Sequence, residues 1–366
     1  MRETVAHHVL NTNHSIMFAA RNRQKKRSLA IGLDLGTSQI KAVVLRREGA
    51  ALQLVEYAVV PSLVPKGKGG AEQQFADELQ QLLSRLHHQD RQLSVVVNCN
   101  STMVSEVELP RMPLAEVCGA LKLNGSRFLR RDVSQYFLDA IELTPPAADA
   151  KAKKNPMMRV LVGGALKEEV TWYRNALALA KIKPAVLELA AVAVVNAFLI
   201  SQAEICEKET VLLIDVGANQ SSIVFLQHGL PVLTRIMHFG GAQISEYLAQ
   251  VLSLDAKAAE EEKIKMSDPV QALVKTAILP LAKEVRASID FSERQQERHV
   301  TRAFACGGTA CAPAMLQLLG ECVGLNIEQW NPLQSFDLSQ VNEAADELPK
   351  LAPSLAAAIG AAGARL

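Results

Sequence analysis

Apolar and polar positions between Leu29 and Phe239 fall twice into one pattern. In the first copy, Leu29–Leu33 leads through "DLGTSQ" into Ile40–Leu45, and the polar turn "RREG" then leads into Leu52–Pro61. In the second, Val211–Ile214 leads through "DVGANQ" into Ser222–Leu226, and "QHG" leads into Pro231–Phe239. Runs of this length, broken by Gly, Asp and Asn, predict strand, turn, strand, turn, strand. Two such units about 180 residues apart predict two lobes built on one plan.

Between and after these units the period changes. Ala71–His88 has helical periodicity, and Leu93–Val97 reads as a buried strand. Segment 101–143 changes character, with a strand at "VSEVELP", a helix through "LAEVCGALKLNGSRFLRR" and an apolar piece "SQYFLDAIEL". Thr144–Pro156, rich in Pro, Ala and Lys, predicts a loop. Strand Arg159–Gly163, helix Glu168–Ala180, strand Ala185–Leu189 and helix Ala190–Ala203 follow. Beyond the second unit come helices Gln243–Leu252, Asp255–Lys265 and Val270–Gln296. Then "RAFACGGTACAPAMLQLLGECVGLNIEQWNPL" predicts strand, glycine turn, helix and strand, and Leu351–Ala364 closes as an alanine-rich helix. The fold class is α/β.

Composition narrows the partners. A chain of 366 residues exceeds what one core usually organises, in keeping with two lobes. Net charge is +1 and aromatic residues make up 4%, so there is no basic field and little stacking surface for nucleic acid. Six scattered cysteines, at 99, 118, 206, 306, 311 and 322, read as reduced, buried side chains of a cytosolic protein, with no zinc spacing. The longest apolar run, Ala185–Ile200, is broken by Glu188 and Asn196 and is too short to span a bilayer. Residues 1–28 are polar, end on the basic run Arg21–Arg27 and read as a disordered basic tail, with Met17 an alternative start.

The interrupted strands carry the chemistry. A Gly-Thr-Ser corner lets successive backbone N–H groups face one concavity, and Thr37 and Ser38 add hydroxyl donors. Asp34, at the end of a buried strand, stands where a hydrated Mg²⁺ bridging phosphates would sit. One such corner alone also reads as a tight hairpin with an Asx turn. Two corners facing each other across a cleft would clamp a polyphosphate from both sides. "FACGGTA" is a third corner, where Gly307 and Gly308 let a flat ligand approach the backbone; it also reads as a plain strand-to-helix turn.

"IGLDLGTSQIK", "LLIDVGANQSS" and "ACGGTA", in this order, resemble the two phosphate motifs and the adenosine motif of the actin-like ATPase superfamily. Within it, "VELPRMP", "LVGGALKEEVTWYRNALALAKIKPAVLELAAVAVVNAF", "FGGAQISEYLAQVLSLDAKAAEEEK" and "WNPL" resemble the PilM family of type IV pilus assembly, over about Leu29–Leu366. The resemblance implies a two-lobed actin-like fold of duplicated ribonuclease H-like domains. The first lobe would be 29–100 and 157–205, with an FtsA/PilM-type subdomain and loop inserted at 101–156. The second lobe would be 206–366, its last helix returning toward the first.

The same resemblance assigns roles. Gly36, Thr37 and Ser38 would cradle phosphates from one side, and Gly217 and Asn219 from the other. Asp34 and Asp215 would hold Mg²⁺ through water. Gly240, Gly241, Gly307, Gly308 and Thr309 would approach the nucleotide. Lys283 and Arg286 would contact adenine and ribose, although the same positions suit a solvated helix face. Glu188 is the candidate for orienting water onto the terminal phosphate, or else a carboxylate favoured by the following helix N-terminus.

Asn219 stands where relatives carry a small hydroxyl residue, Cys306 and Thr309 flank only two glycines, and the insert lacks the family's acidic helix. These departures imply a slow or non-hydrolysing ATP switch. The implied partner is the cytoplasmic tail of an inner-membrane protein such as PilN, docked near the insert. A cytoplasmic location without direct membrane insertion follows, and a homo-oligomer is compatible with it. Two other readings stay open, a small-molecule phosphotransferase of the same superfamily and a nucleotide-free scaffold.

Overall fold

The computed structural model describes residues 17–18, 28–64, 70–88, 92–143, 157–296, 299–341 and 347–366. The basic run 21–27 and the loop 144–156 lie outside the described residues, as does the tail apart from residues 17, 18 and 28.

In the first lobe, β2 (Leu29–Leu35), β3 (Gln39–Glu48) and β4 (Ala51–Pro61) form two antiparallel hairpins, with Asp34 opposite Lys41. Strand β5 (Gln92–Val97) runs parallel to β2, and β9 (Lys183–Leu189) parallel to β5. A two-residue strand β1 (Met17–Phe18) pairs antiparallel with β9. The order is β1-β9-β5-β2-β3-β4. Helices α1 (Glu72–Leu83) and α3 (Lys167–Leu179) cover one face, where Phe75, Trp172 and Tyr173 interlock.

The second lobe repeats that plan. β10 (Thr210–Val216), β11 (Ser221–Gln227) and β12 (Leu230–Met237) make the hairpins. β13 (Arg302–Cys306) and β14 (Ile327–Gln329) extend the sheet in parallel. Its order, β12-β11-β10-β13-β14, matches β4-β3-β2-β5-β9 strand for strand, so the duplication expected from two short motifs extends through both sheets.

Helix α4 (Ala190–Ser201) and the terminal α12 (Ala356–Gly363) lie between the lobes. Every residue of α12 and eight of the twelve in α4 are buried, and their composition shows why they approach so closely. A Cβ on Gly360 would overlap the Ala193 carbonyl, and one on Gly32 of β2 would overlap the Ala358 carbonyl. Phe198 of α4 stacks within 5.1 Å of Phe304 and 5.0 Å of Trp330, tying α4 to the second lobe. Among the described residues no helix is long and apolar enough to cross a membrane.

The insert is a three-stranded antiparallel sheet, β6 (Met103–Pro110), β8 (Met157–Leu166) and β7 (Tyr136–Glu142), in the order β6-β8-β7. Helix α2 (Leu114–Phe128) covers it through Val117 and Leu121. Its central strand β8 lies beyond residue 156, where the sequence reading closes the insert.

Two helices predicted as continuous are broken. Val270–Gln296 splits into α8 (Asp268–Ala277) and α9 (Leu279–Gln296), because Pro280 has no N–H and its ring crowds the preceding turn. The terminal segment becomes α11 (Leu348–Leu351), a short 3₁₀ turn around Pro353, and α12. Of the six cysteines, all free thiols, Cys118, Cys311 and Cys322 are only partly buried.

Candidate functional site

A cavity of about 1010 Å³ opens between the lobes, and Asp34 and Asp215 both line it. Each ends the first strand of its lobe's hairpin unit, so the repeated topology carries both carboxylates to one cleft. Asp34 is 6% exposed and fully engaged. Lys41 Nζ lies 3.1 Å from its Oδ2, and the Asn98 side-chain amide donates to its Oδ1 at 3.1 Å. Tyr173 in turn donates to the Asn98 carbonyl at 3.0 Å, fixing the loop that carries the amide.

Asp215 is less well compensated. Its neighbours in register are Ser222 on β11 and Cys306 on β13, whose thiol lies 3.9 Å away. Burial, reinforced by the nearby Asp34 charge and opposed by Lys41, pushes its carboxyl up to about 6. The two acids are therefore close enough to repel, and a cation between them would relieve both.

The loops that follow the acids expose unpartnered donors. Among the described residues, the Thr37 and Ser38 hydroxyls and the Asn219 amide make no hydrogen bond to the protein, and all three line the cavity. Ser222 Oγ also lines it, buried and without a partner. Gly36, Gly217, Gly241, Gly307, Gly308 and Thr309 complete the predicted set on the wall. Gly307 has φ +96° and packs against Asp215 and Val216, so a side chain there meets both a strained backbone and a collision. The Thr309 hydroxyl donates to the Gly217 carbonyl at 2.9 Å, joining the third corner to the second phosphate loop.

Three predicted residues sit off the wall and one sits behind it. Gly240 backs the loop, donating its N–H to Gln243 Oε1, while the Gly241 and Ala242 N–H groups donate to the Gly217 and Ala218 carbonyls. Lys283 is exposed, and the Arg286 guanidinium donates to the Val323 carbonyl at 3.0 Å; neither lines the cavity. Helix α9 turns Leu281, Ala282, Val285 and Ile289 into the core, which leaves these cations facing away. Glu188 is 1% exposed, accepts from the Asn196 amide at 2.6 Å, and is absent from the cavity wall. Strand alternation explains this: Leu187 and Leu189 pack toward α1 and α3, so Glu188 faces α4. Burial pushes its carboxyl up to about 8.

Other wall residues went unpredicted. Lys41 leaves a signal, as a lysine in an otherwise apolar strand. Asn98, Asn100 and Thr102 line the cavity from the loop after β5. Gln220 reaches across the cleft to donate to the Cys99 carbonyl at 3.4 Å. Lys263, on α7 (Ala256–Lys265), donates to the Gly241 carbonyl at 3.1 Å and pairs with Glu260 at 2.7 Å. Its helix reads from sequence as an ordinary solvated, charged helix.

The wall suits a polyphosphate nucleotide. Orphan hydroxyl and amide donors belong to two facing loops, a glycine corner leaves flat space beside Asp215, and Lys41, Lys263 and Lys265 line the same wall. Among the described residues no group of three or more His, Cys, Asp or Glu could hold a metal. A divalent ion here would rest on Asp34, Asp215, phosphate oxygens and water, the coordination Mg²⁺ favours.

This duplicated sheet plan, with one cleft between the lobes, is the actin-like fold. The chain belongs to the family of the type IV pilus assembly protein PilM, whose model matches residues 32–365. It is similar in structure to the PilM of a PilM–PilN type IV pilus biogenesis complex, at TM-score 0.81 and 24% identity, covering 92% of this chain and 98% of that one. It is also similar to the ethanolamine utilization protein EutJ of Carboxydothermus hydrogenoformans, at TM-score 0.57 and 15% identity over 97% and 95% of the two chains. The ADP-bound MreB5 of Spiroplasma citri matches at TM-score 0.50 and 12% identity over 91% and 95%.

Proposed function

We propose that this protein is a cytoplasmic ATP-binding assembly module of a type IV pilus machine that docks the cytoplasmic tail of a PilN-like inner-membrane protein. The observation that carries the nucleotide part is the placement of Asp34 and Asp215, with their donor loops, on one cavity. Gly36, Thr37 and Ser38 bind phosphate oxygens from the first lobe, and Gly217 and Asn219 from the second. Gly307, Gly308 and Thr309 leave room for the nucleoside, with Gly240 and Gly241 bracing the second loop. Asp34 and Asp215 hold the hydrated Mg²⁺, which when bound neutralises phosphate charge.

Turnover is slow in this reading. The acid suggested for orienting water, Glu188, is held neutral beneath α4 and away from the wall. A residue that cannot reach the terminal phosphate cannot position its attacker. ATP then acts by holding the lobes together.

The partner part is supported by membership of the PilM family and by likeness to the PilM of a PilM–PilN complex. Calorimetric titration with a synthetic PilN-type tail peptide, with and without Mg·ATP, tests it. Saturable one-to-one binding that fails for a tail peptide of the same composition in scrambled order supports docking. Substrate-dependent ADP formation with small hydroxylated metabolites, without peptide binding, would instead make the chain a phosphotransferase.

A further inference from the structure

The outer face of the insert helix carries charge that the cleft does not use. Helix α2 buries Val117, Leu121 and Gly125 against its sheet, so the opposite face meets solvent. On that face and in the turn after it stand Lys122, Arg127, Arg130 and Arg131, all exposed. Leu123 stands among them with 86% of its surface exposed.

None of these four cations forms an ion pair among the described residues, whereas Arg111 and Arg159 nearby pair with Glu142 and Glu106. Two acids belong to the same region. Asp132 accepts the Ser134 N–H at 2.9 Å, and Glu116 lies near the far end of the helix. Four cations against Asp132 leave a net charge of +3 over residues 122–132, while the whole chain carries +1.

Ordinary helix electrostatics accounts for part of this. A cation in the last turn, such as Arg127, is favoured by the dipole, but that effect fades within one turn. It explains neither Lys122 nor the two arginines past the helix end. Arg130 also occupies the left-handed region at φ 53°, where glycine fits without strain. Leu123, exposed in the same stretch as these cations, packs against little of the lobe.

We infer that this tip is a contact patch for anionic phospholipid headgroups. The four cations meet headgroup phosphates, and Leu123 enters the headgroup layer between them. Arg131 meets only the Tyr136 hydroxyl, at 3.5 Å, and Arg127 lies over the Phe128 ring, so their charge stays unneutralised and matches a surface of phosphates. The contact goes beyond the peptide docking proposed above and does not depend on it.

Sedimentation of the full chain with vesicles tests the patch, using phosphatidylglycerol in phosphatidylcholine against phosphatidylcholine alone. Binding is expected only to the anionic vesicles, and it weakens about tenfold or more at high salt. Each cation near an anionic surface contributes about fivefold, so Lys122→Ser/Arg127→Ser/Arg130→Ser/Arg131→Ser is expected to bind about 100-fold or more weakly. Its unfolding midpoint should match wild type, since exposed substitutions are near neutral. Should it fail to fold, Arg131→Ser alone carries the test at about fivefold. Neutralising Arg21, Arg23, Lys25, Lys26 and Arg27 separates the N-terminal run, and that variant is expected to keep most of the binding. The inference is overturned if wild type ignores anionic vesicles, or if the loss is confined to the N-terminal variant.

Discussion

Lys41 and Asp34 face each other across the first hairpin, 3.1 Å apart, and both are more than nine-tenths buried. Removing the lysine leaves a buried carboxylate without its cation, held by the neutral Asn98 amide. Breaking a buried pair from one side costs more than the pair contributes. Lys41→Met is therefore predicted to lower the unfolding free energy by about 3 kcal/mol, measured by urea denaturation. A loss under about 1 kcal/mol would mean that Asp34 does not depend on it.

Glu188 gives the protein a pH dependence of opposite sign to that of a salt-bridged acid. Burial raises its carboxyl to about 8 from an ordinary 4.5. Between those values the unfolded chain is ionised while the native chain keeps its proton, so stability falls as pH rises through the window and levels off above it. Glu188→Gln keeps a partner for Asn196 and removes the titration. At about pH 5 variant and wild type should match, and at about pH 8 the variant should be more stable by a few kcal/mol. Urea midpoints at the two pH values read the difference; a gap that does not grow with pH would show that native Glu188 is ionised.

Gly360 tests the packing between the lobes. A Cβ there runs into the Ala193 carbonyl, and α4 cannot retreat without disturbing Phe198 and Trp330. Gly360→Ala is predicted to cost about 3 kcal/mol, at the upper end for overpacking. A thermal melt within a degree or two of wild type would contradict it.

Gly307→Ala tests the third corner. With φ +96° and Asp215 beside it, alanine strains the backbone and fills the space next to the carboxylate. ATP retention should fall by at least tenfold while the chain stays folded, as measured by dialysis and circular dichroism. Unchanged retention would place the nucleoside elsewhere.

What the sequence revealed, and what it hid, follows from range. The duplicated hairpins, Asp34, Asp215 and the glycine corners were legible because each is a local interruption of a strand, and the strand topology alone brings them together. Lys283, Arg286 and Glu188 lie off the cavity wall, and their two readings stayed open in the sequence, because their facing depends on helix and strand rotation set by distant contacts. Pro280 resets α9, and the alternation of Leu187 and Leu189 decides which way Glu188 points. Lys263 was invisible for a related reason: nothing in a charged helix announces which lysine meets the Gly241 carbonyl. The break of the last helix at Pro353 was readable, and the alanine-rich composition overrode it.

The central claim is that both lobes hold one nucleotide through Asp34 and Asp215. Equilibrium dialysis of labelled ATP, with Mg²⁺ and with chelator, tests it most directly on wild type and Asp215→Asn. Asparagine removes a charge that burial already penalises, so the variant should fold at least as stably as wild type. The account predicts Mg²⁺-dependent retention by wild type, weakening below about pH 6 as Asp215 takes a proton, and at least tenfold weaker retention by the variant. Equal retention by both proteins, or retention by neither, would contradict it.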